Sequence, residues 1–360
     1  MKNDGLLRPE DNEIMKNKGR GCGAISPAVD PPTKSSRRPL AVVVLAGGKG
    51  TRMKSSIHKM LQPLAGRPML EYVLMAVSGL SPERTVVVVG HDAEAVSARF
   101  RKSGISFAYQ SEQLGTGHAL LQSYRILKGF GGDILVVNGD APLITTGLLR
   151  RLYRHHLVKH GNMSLLTFCV KDPNGFGRIF RKSDGRVSRI IDHKDCDVET
   201  LGIHEVNTGL YVFDYRVFDL AQDIPDSNHA GEYLITDLVQ IYTEGGYKVE
   251  AVKGAGSVGV ALGVNDRSQL VEAEKVLRHR IRQRWLKRGV TFTDIKSITI
   301  DDTVSIGRAV ELGAKVKLLG TTSVGDLAQV GAHSELTDCE VIKGAEVPCH
   351  TVAKNEKFDS

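Results

Sequence analysis

Between Val304 and Val341 small and aliphatic residues return on a six-residue beat. Val304, Val310 and Val316 are followed two places on by Ile306, Leu312 and Leu318, and the beat resumes through Val324, Val330, Leu336 and Val341. Glycines keep time with it at Gly307, Gly313, Gly325 and Gly331. Neither the 3.6-residue period of a helix nor simple alternation produces this spacing over such a length. It predicts a parallel β-helix of hexapeptide units, in which each short strand sends one aliphatic side chain into a shared column and only stacking buries it. Seven such units amount to about two coils, expected over 291–347. The remainder, 348–360, reads as a polar tail, with Pro348 and the residues from Lys354 blunting the open end of the stack.

So short a solenoid accounts for little of a 360-residue chain, and that length exceeds what one hydrophobic core usually supports. A second organising stretch lies earlier, from Leu40 to Met69. It opens with the apolar, β-branched run Ala41 to Ala46, as expected of a central parallel strand covered on both faces. A loop follows that holds Gly47, Gly48 and Gly50 beside Lys49, Thr51, Arg52, Lys54 and Lys59. Glycines let backbone N–H groups approach a ligand, and fixed cations neutralise one, so the combination suits a polyphosphate. An ordinary strand-to-helix turn is the alternative. The loop lacks the spacing of a P-loop and the third glycine of a dinucleotide fingerprint.

After the loop, strand and helix alternate. Met69 to Ser78 has helical spacing, Thr85 to Val89 is β-branched and stops at Gly90, and Asp133 to Asp140 is a buried strand that delivers a carboxylate. This is a doubly wound α/β sheet, whose ligands lie beyond the carboxyl ends of its strands. The polar loop Tyr109 to Ala119, with Gly115 and Gly117, is dense in donors and acceptors. Asp140 fits a Mg²⁺ ligand, because a hard cation on phosphates needs few protein oxygens; capping the next helix is the competing role. Farther on, the turn Ser183-Asp184-Gly185 and the run Val187 to Ile191 suggest a hairpin. Asn265 stands where a strand is expected to hand over to a basic helix from Arg267, and helix capping competes there too.

The net charge of +7 does not point to nucleic acid. Its excess sits in residues 1–39, eight Lys/Arg against five Asp/Glu in a tail expected to be disordered, and in Arg267 to Arg288, eight against two on an expected solvated helix face. Five cysteines without paired spacing suggest neither disulfides nor a thiolate metal site. No apolar run reaches the roughly 20 residues of a membrane span, and nothing at the start has a signal-peptide core. The cytoplasm is the expected location, with neither nucleic acid nor membrane as partner.

The motif Gly-Lys-Gly-Thr-Arg-Met, with Lys59 seven residues after Arg52 and then Leu64-Ala65-Gly66-Arg67-Pro68-Met69, resembles the start of sugar-1-phosphate nucleotidylyltransferases. The closest likeness is to the uridylyltransferase half of the bifunctional bacterial N-acetylglucosamine-1-phosphate uridylyltransferases, over roughly residues 40–347. This resemblance implies a Rossmann-like, GT-A-like nucleotidyltransferase domain (40–266), a linking helix (267–290) and a short left-handed β-helix (291–347). It implies that Leu45, Ala46, Gly47 and Gly48 surround the nucleotide, with Gln110, Gly115 and Thr116 on the uracil edge. Gly177, Asp192 and Asn207 would meet the sugar, and Lys194 its phosphate or, equally, only solvent and Asp195. Asp140 and Asn265 would hold Mg²⁺, and Arg52 and Lys59 would be the catalytic cations. Asn228 to Tyr233 matches in composition and reads as architecture.

Two departures are visible: His58 where the family has proline, and Asp192 where it has glutamate. The implied reaction joins UTP and N-acetylglucosamine 1-phosphate into UDP-N-acetylglucosamine and pyrophosphate. The family's longer solenoid carries acetyl transfer and a trimer interface; here no acetyltransferase chemistry is expected, and a homotrimer is left open. Another nucleotide and sugar pair, or a non-catalytic nucleotide-sugar-binding protein, are the alternatives. The seven-residue step and the Gln110 loop disfavour the first.

Overall fold

The computed structural model describes residues 38–101, 103–226, 228 and 231–359. Most of the expected disordered tail lies outside the described residues. Its last two members do not: Arg38 sits 3.4 Å from Asp133, and the Pro39 carbonyl accepts from the Asp133 N–H at 2.9 Å. Two compact units divide the chain. The first takes the residues up to Thr51, His58–Met60 and Val73–Gly263; the second takes Arg52–Ile57, Leu61–Tyr72 and the chain from Val264. The single domain expected over 40–266 is thus interrupted twice, because parts of the segment after the glycine loop belong to the second unit.

The first unit is built on a mixed sheet. Its strands are β1 (Leu40–Ala46), β2 (Arg84–Val89), β3 (Ser106–Tyr109), β4 (Asp133–Asn138), β5 (Met163–Cys169), β6 (Arg178–Arg181), β7 (Val187–Ile191), β8 (Glu205–Phe213) and β9 (Val249–Lys253). They run in the order β9-β5-β8-β4-β1-β2-β3, with the β6–β7 hairpin attached through β8. Every residue of β1 is buried, which explains its unbroken aliphatic sequence: Val43 lies between Val86 and Val136 in parallel register. Strand β8 runs antiparallel to both β4 and β5. Because β1 pairs with β2 on one edge and β4 on the other, the chain reverses direction across the sheet there, and the carboxyl ends of these strands open a crevice.

Helix α1 (Met69–Ser78) falls where its spacing predicts, and α2 (Ala93–Phe100) and α3 (Thr116–Gln122) follow β2 and β3. A longer helix, Thr146–Lys159, begins on a Thr145 cap that accepts from the Leu148 N–H and ends on left-handed His160.

In the second unit the helix Arg267–Lys287 starts on Asp266, whose side chain accepts from the Gln269 N–H. Its basic face is less solvated than expected. Arg278 reaches Asp301, Arg284 reaches Asp302 at 2.9 Å, and Arg282 donates to the Ile298 carbonyl. Arg67 also binds Asp302, at 2.8 Å, and pairs with Glu71.

Twelve short strands then form a left-handed parallel β-helix of three four-stranded sheets, running from Thr291–Phe292 to Lys357–Phe358. Val310, Val316, Leu318, Ala328, Leu336 and Ala345 fill its interior column completely buried. Two expectations are corrected here. The stack has four strands in each sheet and not about two coils, because strands as short as Thr291–Phe292 and Thr299–Ile300 precede the visible beat. Nor is 348–360 a tail: Val352–Lys354 pairs with Glu335–Thr337 and Lys357–Phe358 with Glu340–Val341. Non-glycine residues at the corners, among them Leu327, His333 and His350, take left-handed φ near +64°, which hid these turns from a reading by glycines.

Candidate active site

Beyond the carboxyl ends of β1 and β4 lies a cavity of about 380 Å³. Leu45, Gly47 and Gly48 line it from the first strand, Gln110, Gly115 and Thr116 from the loop after β3, and Lys59 and Asp140 complete it. Six of the seven residues expected at the nucleotide therefore share one cavity with one expected cation and one expected metal ligand. The seventh, Ala46, is buried at the end of β1. The sequence reading missed Asn138, Gln113 and Glu232, which also line it. Asn138 closes β4 two residues before Asp140, and a polar side chain at the end of a buried strand was the available signal.

Lys59 is 8% exposed, and its ammonium Nζ lies 2.6 Å from Asp140 Oδ2. A lysine is buried this deeply only when paired. Asp140 has no capping role, since the helix after it begins on Thr145. Gly263 stands against its other oxygen, where an added Cβ would come within 2.5 Å of Oδ1.

In the second unit the same pairing recurs between the other cation and the other expected ligand. Arg52 Nη2 donates to Asn265 Oδ1 at 3.1 Å, and Arg267 Nε donates to the Met53 carbonyl at 3.0 Å. Helix capping does not explain Asn265, because the cap is Asp266 and Asn265 uses its N–H on Gln269 Oε1. Nor does a strand lead directly into it. Strand β9 ends at Lys253 and a turn at Val258–Ala261 intervenes.

Departure at His58 is compensated locally. Its Nδ1 accepts from the Met60 N–H at 3.2 Å, so a ring hydrogen bond fixes the turn that proline would have fixed. Burial pushes the His58 imidazole below its ordinary value, against the attraction of Asp92, which keeps the ring neutral and able to accept.

The residues expected at the sugar do not line this cavity. Gly177 and Asn207 are brought together, the Asn207 N–H donating to the Gly177 carbonyl at 2.9 Å. The Asn207 amide is spent on Tyr211 Oη (2.6 Å) and on the Gly209 N–H. Asp192 is exposed and accepts from the Lys194 N–H, capping the turn His193–Asp195. Lys194 is exposed, and among the described residues it makes no ion pair with Asp195.

Nearby, Glu205 binds Arg181 through both oxygens and accepts from Thr167. Burial works to raise its carboxyl, but these hydrogen bonds prevail and hold it below the ordinary range. Asp237 goes the other way: burial, then the charge of Asp195, pushes it up to about 6.

A mixed sheet with the Lys59–Asp140 pair in the crevice at its switch point, followed by a parallel β-helix, places the chain with the sugar-phosphate nucleotidyltransferases. Residues 42–179 match the model of the MobA-like NTP transferase domain. Among curated proteins, the chain is 41% identical over 306 residues to the bifunctional protein GlmU of Exiguobacterium sibiricum, covering 85% of this chain and 68% of that protein. It is 42% identical to a GlmU of Thermus thermophilus (87% and 68%) and 39% identical to that of Enterococcus faecalis (83% and 65%). The chain thus spans about two thirds of the length of these relatives. It belongs to the family of the bifunctional protein GlmU.

Proposed function

We propose that the protein transfers a uridylyl group: N-acetylglucosamine 1-phosphate and UTP give UDP-N-acetylglucosamine and pyrophosphate. One observation carries this reading, the Lys59–Asp140 ion pair inside a cavity walled by the glycine loop and the Gln110 loop. A phosphate oxygen of the sugar phosphate attacks the α-phosphorus in line as the bond to the β-phosphate breaks, so pyrophosphate leaves and no protein group is covalently modified. Catalysis then consists of alignment and of neutralising charge on phosphate oxygens. Lys59, already desolvated, offers its ammonium to those oxygens. The resemblance assigns Arg52 to transition-state charge and Gly177, Asp192, Asn207 and Lys194 to the sugar phosphate.

Asp140 offers Mg²⁺ the hard carboxylate oxygens such an ion takes, and the resemblance assigns Asn265 as a second oxygen ligand. No group of three or more His, Cys, Asp or Glu able to hold a metal occurs among the described residues, as suits an ion held mainly by phosphates and water. When bound, Mg²⁺ supplies charge neutralisation between the reacting phosphates.

The test is pyrophosphate release from UTP, CTP, dTTP and ATP against a panel of hexose 1-phosphates, with and without Mg²⁺. Acetyl-CoA with glucosamine 1-phosphate is the control for acetyl transfer. Fastest Mg²⁺-dependent release from UTP with N-acetylglucosamine 1-phosphate is expected. Faster turnover of another pair would reassign the substrates, and binding of UDP-sugar without turnover would leave a binding protein.

A further inference from the structure

Behind the cavity, the buried ring of His118 faces two amides. Gln110 Nε2 lies 3.1 Å from His118 Nδ1 and 3.1 Å from the Gly115 carbonyl oxygen. On the other side, Gln122 Nε2 lies 3.0 Å from His118 Nε2 and 3.1 Å from the His118 carbonyl oxygen. A neutral imidazole carries one ring N–H and accepts at only one nitrogen, so the two amides cannot both present their NH₂ to it. Burial pushes this imidazole below its ordinary value, although the carbonyl and charge of Glu112 pull the other way. The doubly protonated ring offers no escape, since it would accept from neither amide.

One amide must therefore turn its oxygen to the ring, and the surroundings decide which. Gln110 is 3% exposed, and reversing it would press Oε1 against the Gly115 carbonyl. Gln122 is only half-buried at the end of α3, so it can give up its bond to the His118 carbonyl and rotate its NH₂ outward, which the enclosed Gln110 cannot do. Gln110 thus keeps both N–H hydrogens inward, on Gly115 and on His118 Nδ1, while His118 donates from Nε2 to the Gln122 oxygen. The Gln110 oxygen is left beside Gly47 at the cavity wall, where an added Cβ on that glycine would come within 2.7 Å of it.

We infer that His118 is a specificity-determining positioning residue: by accepting from Gln110, it leaves that side chain only a hydrogen-bond acceptor to show the nucleobase. Among pyrimidines, the site then takes one with a ring imide N–H, uracil or thymine, and repels cytosine, whose corresponding nitrogen is itself an acceptor. The inference rests on the reading of the cavity as the nucleotide site.

Binding of UDP and CDP, measured by calorimetry on the full chain, tests it without requiring turnover. The wild type is expected to prefer UDP. His118→Leu, which removes the acceptor, should shrink that preference roughly tenfold or more by weakening UDP and strengthening CDP. His118→Asn should keep it, since Oδ1 takes the place of Nδ1. An unchanged preference in the leucine variant overturns the inference while leaving the nucleotide site in place; failure of the wild type to bind either nucleotide overturns both. Should the leucine variant not fold, ¹⁵N NMR of the wild-type ring decides. Protonation at Nε2 is expected, and protonation at Nδ1 refutes the assignment.

Discussion

Lys59 holds an ammonium in a place with little water, and Asp140 compensates for that before any substrate arrives. In the proposed reaction phosphate oxygens would take over the same cation, so the pair would store a charge in the position where that reaction needs one. Lys59→Met should lower kcat for pyrophosphate release by about 100-fold or more, a barrier increase of about 3 kcal/mol. Initial rates with circular dichroism as a folding control would show it, and activity within fivefold of wild type would remove Lys59 from the mechanism. A pH effect belongs to this scale as well. The carboxyl of Asp237 is raised to about 6 in the folded chain, so its contribution to stability is present below its unfolded pKa, near 4, and is lost as pH rises through 6. Asp237→Asn should therefore stabilise the protein at pH 7.5, by up to about 2 kcal/mol, and change little at pH 3.5. Urea unfolding at the two pH values checks this, and equal effects at both would contradict the assignment. Charged residues suited to phosphate and metal were legible in the sequence because their type is their chemistry. Their pairing was not, since Lys59 and Asp140 stand 81 residues apart and Arg52 and Asn265 stand 213 apart.

At the level of elements, the loop from Gln110 to Thr116 is shaped by a segment far along the chain. Leu114 O accepts from the Tyr233 N–H at 2.8 Å, Tyr233 O accepts from the Gly117 N–H at 2.7 Å, and Thr116 Oγ1 accepts from the Ile235 N–H. Tyr233 thus shapes the loop through its backbone, while Glu232 beside it lines the cavity, so the motif read as architecture also reaches the candidate site. Between these bonds Gly115 has φ +112°, and a Cβ there would come within 2.5 Å of the Tyr233 carbonyl oxygen. Gly115→Ala combines a left-handed backbone with a clash against fixed main chain. It should destabilise the first unit by about 2 kcal/mol or more and weaken UDP binding together with it. Chemical denaturation and UDP titration would measure both, and a variant as stable as wild type would mean that the loop yields without Tyr233. The loop's polarity was visible in the sequence. Its partner was not, because backbone hydrogen bonds carry no residue signature.

For the molecule as a whole, the strand alternation and the six-residue beat disclosed both architectures, since each buries a periodic apolar face. The extent of the β-helix escaped because its corners tolerate left-handed residues as unlike as leucine and histidine, and its last strands are only three and two residues long. That error yields a sharp expectation. A tail can be cut away without consequence, whereas Val352–Lys354 and Lys357–Phe358 continue two of the three sheets. The carbonyls of Thr351, Glu356 and Phe358 accept from the N–H groups of Glu335, Glu340 and Ile342, and the Asn355 N–H donates to Thr337. Removing residues 351–360 breaks these four bonds and strips cover from Leu336 and Val341, which are otherwise buried. At about 1 kcal/mol per net hydrogen bond, the loss should reach about 4 kcal/mol before the exposed apolar area is added. In a stack where each layer is supported by its neighbours, that loss falls on the preceding turn and propagates. Scanning calorimetry of the full and shortened chains should show the β-helix melting lower by several degrees, with hydrogen exchange fastest at Glu335–Thr337 and Glu340–Val341. Coincident melting curves and unchanged exchange would restore the tail reading and count against a fourth strand in those two sheets.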